Sequence, residues 1–267
     1  MIYFVSTPIG NLKDITYRAV EVLSSVDIIA CEDTRHSLPL LNNYGIKKQL
    51  ISYQKFNEAE CAEKLIGFAE DGLNIAVISD AGTPVLSDPG AVLVRKLIEN
   101  GIEYTVVPGA NAVLPALILS GLNSDRFTFI GFLPEKRSDA LKLIESYSAV
   151  DATLIFYCAP HDLKKTIKVL YEGLGDRKAV AVKEMTKVFE TRYAFTLGEE
   201  PDVDERGEFV ILVEGQSAAD FSSLPVKEHI ALYLSEGLSK MEAIKRVAKE
   251  RGVPKSSLYK YTIDDSD

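Results

Sequence analysis

The chain is poor in the residues that staple small folds or hold metals: 267 residues include only three cysteines and three histidines. Cys31, Cys61 and Cys158 lie far apart with no C-x-x-C spacing, which leaves no basis for a disulfide framework or zinc ribbon and fits a reducing cytoplasm. His36, His161 and His229 show neither H-x-x-x-H nor H-E-x-x-H spacing, so each reads as a surface or loop residue and no metal is expected. Long apolar runs are missing as well. The longest, Val113 to Leu119, contains Pro115 and falls far short of the roughly 20 residues a bilayer crossing needs. The first ten residues lack a basic flank and read as a strand, not a signal peptide. Nor is there an excess of positive charge: a formal net charge of −9 argues against nonspecific wrapping of nucleic acid, although local patches have to be counted separately.

What remains is the composition of an ordinary globular protein, 46% hydrophobic and 26% charged, long enough for two domains with a core each. The first half repeats a short apolar run, a polar or glycine-containing break, and a stretch of helical periodicity. This is the pattern of strand and helix alternating around a mostly parallel sheet. Strands are expected at Ile2 to Ser6, Asp27 to Ala30, Gln49 to Tyr53, Asn74 to Ser79 and Tyr104 to Val107. Helices are expected behind Asp14 as a cap (Ile15, Ala19, Val22, Leu23, Val26), over Ala62 to Ala69 before Gly72, and over Val92 to Ile98.

After Gly121 the rhythm implies a second α/β domain with a mixed sheet. Its strands are expected at Phe127 to Phe132, Thr153 to Tyr157, Ala179 to Lys183, Tyr193 to Thr196 and Phe209 to Val213, and its helices at Ser138 to Tyr147 and Asp162 to Tyr171. Residues 215–225 read as a linker. Three short helices follow, at Val226 to Ser235, Lys240 to Arg251 and Pro254 to Tyr261, the last two spaced like a helix-turn-helix. The expected organisation is one α/β domain over 1–112, a second over 113–215, and a C-terminal helical segment over 226–267.

In parallel sheets ligands bind outside the carboxyl ends of the strands, where loops and helix amino termini converge. Four loops deliver unusual residues there: Pro8-Ile9-Gly10-Asn11, Glu32-Asp33-Thr34-Arg35, Asp80 through Gly90, and Pro108-Gly109-Ala110-Asn111. No G-x-G-x-x-G follows the first strand and no G-x-x-x-x-G-K-[ST] occurs, so a pyrophosphate lacks its usual cradle. An edge offering Asp80, open backbone and few cations suits a neutral or positively charged ligand, a sulfonium included. Asp80 and Asp88 read equally as an acid and base pair or as caps of the turns around Pro84 and Pro89. Cys158, near His161, reads as a packed thiol in preference to a nucleophile.

These loops also carry a family resemblance. Ser6-Thr7-Pro8-Ile9-Gly10-Asn11-Leu12, Cys31-Glu32-Asp33-Thr34-Arg35-His36, Ser79 to Gly90 (SDAGTPVLSDPG) and Val107-Pro108-Gly109 resemble the tetrapyrrole methylase superfamily. Within it they look most like the branch that methylates the ribose 2'-hydroxyl of a cytidine in small-subunit (16S) ribosomal RNA. Gly131-Phe132-Leu133-Pro134, Ala159-Pro160-His161, Glu184 to Lys187 with Glu190, and Val213-Glu214-Gly215 continue the match in family order. The chain departs from the family's E-S-P-H-R at Cys158 to Asp162 and from its R-E-L-T-K at Lys183 to Lys187, mostly by losing positive charge.

The resemblance implies S-adenosylmethionine bent into a cleft between two α/β domains, lined by Pro8, Asp80, Ala81, Gly82, Ala110, Asn111 and Ala112 from the first and by Tyr157 and Met185 from the second. It also implies a homodimer. Removal of the 2'-hydroxyl proton calls for a carboxylate or lysine near the cleft. Glu32, Asp33, Asp88, Lys183 and Glu184 are the candidates, and residue types alone do not choose among them. Small ribosomal subunit RNA needs cations, and two stretches supply them. Residues 162–192 hold eight against five carboxylates, and residues 236–261 hold seven against three. In the second, Lys240, Lys245, Arg246, Lys249, Arg251 and Lys255 are the candidate RNA contacts. Two other functions fit the sequence less well: methylation of a corrin or porphyrin precursor, and a ligand-sensing, nucleic-acid-binding regulator.

Overall fold

Five segments of four residues each build the first sheet: β1 (Ile2–Val5), β2 (Ile28–Cys31), β3 (Gln49–Ser52), β4 (Ile75–Ile78) and β5 (Tyr104–Val107). The computed structural model describes residues 1–199, 201–216, 224–235 and 237–261. All pairings in this sheet are parallel and the strand order is β3-β2-β4-β1-β5. Helices α1 (Tyr17–Ser25) and α2 (Thr34–Asn43) bury Ala19, Leu23 and Leu41 against one face. Helices α3 (Glu58–Glu70) and α4 (Ala91–Glu99) bury Leu65, Leu93 and Leu97 against the other. The neighbouring strands β1 and β4 therefore send their next helices to opposite faces, which opens a crevice at their carboxyl ends.

Several local expectations change. The cap of α1 is not Asp14, which closes a 3-10 turn at Leu12–Asp14; Thr16 takes that role and accepts from Ala19 N–H at 3.1 Å. The run from Thr34 is helical despite Pro39, which cannot donate to the Arg35 carbonyl, because Leu40 and Leu41 reward the helix with burial. The apolar run at Val113 is also a helix, α5 (Val113–Ser120); Pro115 stands in its first turn, where no intrahelical donor is needed.

The second sheet contains β6 (Phe127–Phe132), β7 (Thr153–Cys158), β8 (Lys178–Lys183), β9 (Thr191–Thr196) and β10 (Phe209–Val213), in the order β6-β7-β10-β8-β9. Only β6 and β7 pair in parallel, so the sheet is mixed. Helix α5 covers one face through Val113, Ala116 and Leu117. Helices α6 (Arg137–Ser146) and α7 (Leu163–Leu174) cover the other through Ala140, Ile144, Ile167 and Leu170.

Contacts divide the chain after Gly215, with both sheets in Met1–Gly215. The expected linker lies largely outside the described residues, as does the end of the tail beyond Tyr261. In the C-terminal unit, α8 (Val226–Ser235) packs on α9 (Lys240–Glu250), and Ser239 with Glu242 forms a reciprocal capping box at the start of α9. The third expected helix is two 3-10 turns, Lys255–Ser257 and Tyr259–Tyr261. His229 is not a surface residue: it is fully buried on α8. Its Nδ1 accepts from Arg251 Nε at 3.1 Å while Nε2 faces Glu250 at 3.0 Å, and burial holds its pKa below the usual imidazole value. Among the described residues no helix is long and apolar enough to cross a membrane.

Candidate functional site

The loops after β1 and β4 are joined by an isolated antiparallel bridge between Thr7 and Gly82. Thr7 Oγ1 donates to the Ser79 carbonyl at 3.3 Å, and the hydroxyls of Ser6 and Thr83 meet at 3.0 Å. Thr83 Oγ1 also donates to the Ala110 carbonyl at 3.3 Å, which draws the loop after β5 into the same lattice. Gly82 has φ +80°, open to glycine at no steric cost, and an added Cβ would stand 3.4 Å from Ile9 Cγ2. Pro8, Asp80, Ala81, Gly82, Ala110, Asn111 and Ala112 are thus gathered on one edge by short polar links.

The second sheet contributes to the same edge. Ile9, Ala112 and Tyr157 pack on the cluster that contains Met185. Asn11 N–H donates to Thr186 Oγ1 at 3.1 Å, tying the loop after β1 to the turn after β8. The segment from Thr83 to Gly90 lies against β6 and β7: a Cβ on Gly131 would approach Ser87 Oγ to 3.0 Å, and the Asp88 charge is felt at Tyr157. Val85 (φ +77°) and Ser87 (φ +71°) occupy the left-handed region, a costly conformation for a β-branched residue and one that gathers at functional sites. Glu58 fixes the far end of this segment by accepting from Gly90 N–H (2.8 Å) and Val92 N–H (3.1 Å) at the start of α4. Val85, Ser87 and Glu58 had no signature in the sequence, because their roles depend on contacts distant along the chain.

Electrostatics separates the candidate bases. Asp33 caps α2 and receives Arg35 at 2.6 Å; that hydrogen bond, more than any other cause, draws its pKa down to about 2. Lys183 is buried with Asp204 at 2.7 Å, and Asp204 is also held by Arg206. Burial disfavours charge on Glu184, yet hydrogen bonds from Glu208 N–H and Lys187 hold it below the usual carboxylate range. Glu32 and Asp88 are different. Burial raises both, with added repulsion from Asp80 and, for Glu32, from Asp88 and Asp33. Asp80 binds within the protein, accepting from Asp33 N–H at 3.1 Å and facing His36 Nδ1 at 3.3 Å.

This edge is lined by carboxylates, and Arg35 is spent on Asp33, so a cationic ligand fits and a phosphate does not. The exposed Ala81 and the apolar contact from Ile9 and Met185 suit the uncharged parts of a nucleoside thioether. Cys158 is no nucleophile: burial pushes its thiol up to about 11 despite the neighbouring Thr166 hydroxyl. Among the described residues no group of three or more His, Cys, Asp or Glu is placed to hold a metal ion.

The cations of the two basic stretches fare unequally. Between residues 162 and 192, Lys164 pairs with Glu205, Lys165 with Asp162, Lys178 with Glu214 and Lys187 with Glu184 and Glu208, while Arg177 and Arg192 donate to backbone carbonyls. Most cations of that stretch are occupied within the protein. On α9, Arg246 lies over Tyr233 and bonds Glu250, and Arg251 is tied to His229 and the Leu224 carbonyl. Lys240, Lys245, Lys249 and Lys255 are exposed, and among the described residues Lys245, Lys249 and Lys255 carry no ion pair. Lys245 and Lys249 stand one turn apart beside an open depression that also includes Leu238 and Glu242.

Known proteins resemble this chain along most of its length. Ribosomal RNA small subunit methyltransferase I of Bacillus subtilis (strain 168) is 41% identical over 270 residues, covering 97% of this chain and 92% of the relative. The protein of the same name from Escherichia coli O157:H7 is 43% identical, covering 98% and 94%. Among solved structures, diphthine synthase (TM-score 0.64, 14% identity, 80% of this chain and 89% of that one) and the methyltransferase CobJ (0.61, 17%, 80% and 94%) share the fold. The model of the tetrapyrrole (corrin/porphyrin) methylases matches residues 1–200, a span that contains every strand of the first sheet and the whole carboxyl-terminal edge described above. The chain belongs to the tetrapyrrole methylase family.

Proposed function

We propose that this chain transfers a methyl group from S-adenosylmethionine to the ribose 2'-hydroxyl of a cytidine in small-subunit (16S) ribosomal RNA. One observation carries the reading. Relatives named for methylation of small-subunit ribosomal RNA match across 97% or more of the chain, whereas the solved structures of the wider family match 80%. A corrin methylase gives no account of that extra length.

The donor sits between residues of 1–112 and 113–215. Backbone groups of Ala81, Gly82, Ala110, Asn111 and Ala112 line one side with Pro8, and Tyr157 and Met185 line the other. Bound there, S-adenosylmethionine supplies a methyl group made electrophilic by its sulfonium. The chain's own part is to align the ribose oxygen, exclude water and accept a proton. Glu32 and Asp88 place negative charge where the sulfonium is received. The 226–267 segment holds RNA through Lys240, Lys245, Lys249 and Lys255, with Arg246 and Arg251 keeping α8 against α9. The enzyme works in the cytoplasm as a homodimer, a reading supported by exposed apolar side chains such as Ile118, Leu114 and Val106.

The test is to supply labelled S-adenosylmethionine with small ribosomal subunits from cells lacking this activity, then map the label. A single cytidine labelled on its 2'-oxygen is expected. Label on a base, label on a corrin precursor instead, or no label overturns the reading. Turnover would also exclude a purely regulatory protein.

A further inference from the structure

We propose that His36, seated beside Asp80, is the general base that removes the ribose hydroxyl proton; the assignment rests on the function proposed above. His36 stands in the first turn of α2, its N–H bonded to the Asp33 carbonyl at 3.1 Å. Its Nδ1 lies 3.3 Å from Asp80 Oδ2. The other Asp80 oxygen, Oδ1, accepts from Asp33 N–H at 3.1 Å, so the carboxylate is fixed by the same loop that carries the imidazole. The Asp80 carboxylate this close to Nδ1 favours the proton on that nitrogen and leaves the Nε2 lone pair available. The His36 side chain is 70% exposed, so a large substrate can reach Nε2, while Asp80 immediately precedes the Ala81-Gly82 backbone assigned to the donor.

Three of the other candidates are engaged elsewhere. Asp33 and Glu184 are committed to hydrogen bonds, and Lys183 is committed to Asp204. An imidazole matches neutral pH more closely than a carboxylate. The charged groups around His36 are Asp80 from the loop after β4, Glu32 and Asp33 from the loop after β2, and Arg35 beside it on α2. Arg35 is held by Asp33, so the uncompensated charges beside the ring are carboxylates. In the step, Nε2 takes the 2'-O–H proton and the oxygen's electron pair forms the new bond to the methyl carbon. The carbon–sulfur pair leaves with the donor as a neutral thioether, and the imidazolium then returns its proton to water.

The experiment compares wild type, His36→Ala, His36→Gln and Asp80→Asn on small ribosomal subunits lacking the modification. Donor affinity by calorimetry and thermal melting serve as controls for folding. The two His36 variants are expected to bind the donor within about twofold of wild type and to lose about 10²–10⁴-fold in single-turnover rate. The wild-type rate should rise with pH through an imidazole step that is absent in His36→Ala. Added imidazole should restore part of that rate, and Asp80→Asn should lower the single-turnover rate less than His36→Ala does. A His36→Ala enzyme that methylates at the wild-type rate with the wild-type pH profile overturns the assignment alone. A wild type that leaves the RNA unlabelled overturns the proposed function, and the assignment with it.

Discussion

Thr7 and Gly82 exchange two backbone hydrogen bonds, 2.9 Å from Thr7 N–H to the Gly82 carbonyl and 3.0 Å in return. Through them the β1 and β4 loops form one surface, and Gly82 reaches that geometry only with φ +80°. A side chain in this region costs roughly 1–2 kcal/mol. Gly82→Val is therefore expected to weaken S-adenosylmethionine binding about tenfold by calorimetry. Gly45→Ala is the control: it carries similar strain (φ +67°) in open space, and should lower the melting temperature without changing donor affinity.

The raised pKa values of Glu32 and Asp88 predict an unusual acid limit for donor binding. Both carboxylates take up protons at higher pH than free side chains, so acidification removes negative charge from the edge before ordinary carboxylates titrate. Donor affinity should begin to fall above the normal carboxylate range, and Asp88→Asn should flatten that fall. For an acid whose folded pKa lies above its unfolded value, folding is favoured on the acid side and loses that advantage as pH rises. Asp88→Asn should thus melt higher than wild type near pH 8 while binding the donor less tightly.

Glu58 predicts a purely structural failure at a distance. Its carboxylate takes Gly90 and Val92 N–H groups at the start of α4 and the Tyr53 hydroxyl at 3.2 Å. Glu58→Ala leaves two helix donors unmet, at a cost of about 1–3 kcal/mol. The melting temperature should fall by several degrees, and methylation measured at low temperature should persist at a reduced rate.

The paired and unpaired cations of the C-terminal unit predict two different phenotypes. Lys245→Ala with Lys249→Ala should weaken RNA binding and shallow its salt dependence by about one unit of log–log slope per lysine. Arg251→Ala should instead unfold the unit, because Arg251 holds His229 and the Leu224 carbonyl together. Circular dichroism and titration with the small subunit at several salt concentrations separate the two.

Much of this architecture was legible because apolar runs of four to six residues bounded by glycine, proline or aspartate read directly as strands, as at Ile75–Ile78 and Phe209–Val213. The helix at Thr34–Asn43 was hidden by Pro39, whose cost is offset by burial of Leu40 and Leu41 that only the tertiary structure supplies. His229 read as exposed because nothing local announces a buried histidine; its partners Glu250 and Arg251 come from another helix. The same holds at the candidate site. The loops after β1, β4 and β5 were visible as motifs, but the Asp80–His36 pair and the left-handed Val85 and Ser87 arise from the way β2, β4 and β6 are brought together. Among the carboxylates, composition offered no means of telling the capping Asp33 from the half-buried Asp88.

We place the donor at the carboxyl edge of β1, β4 and β5. A crystal structure with S-adenosylhomocysteine tests it most directly. The ligand is expected against the backbone of Ala81, Gly82 and Ala110 to Ala112, with Tyr157 and Met185 on its far side. A ligand bound at any other surface, or density absent under saturating concentration, contradicts it.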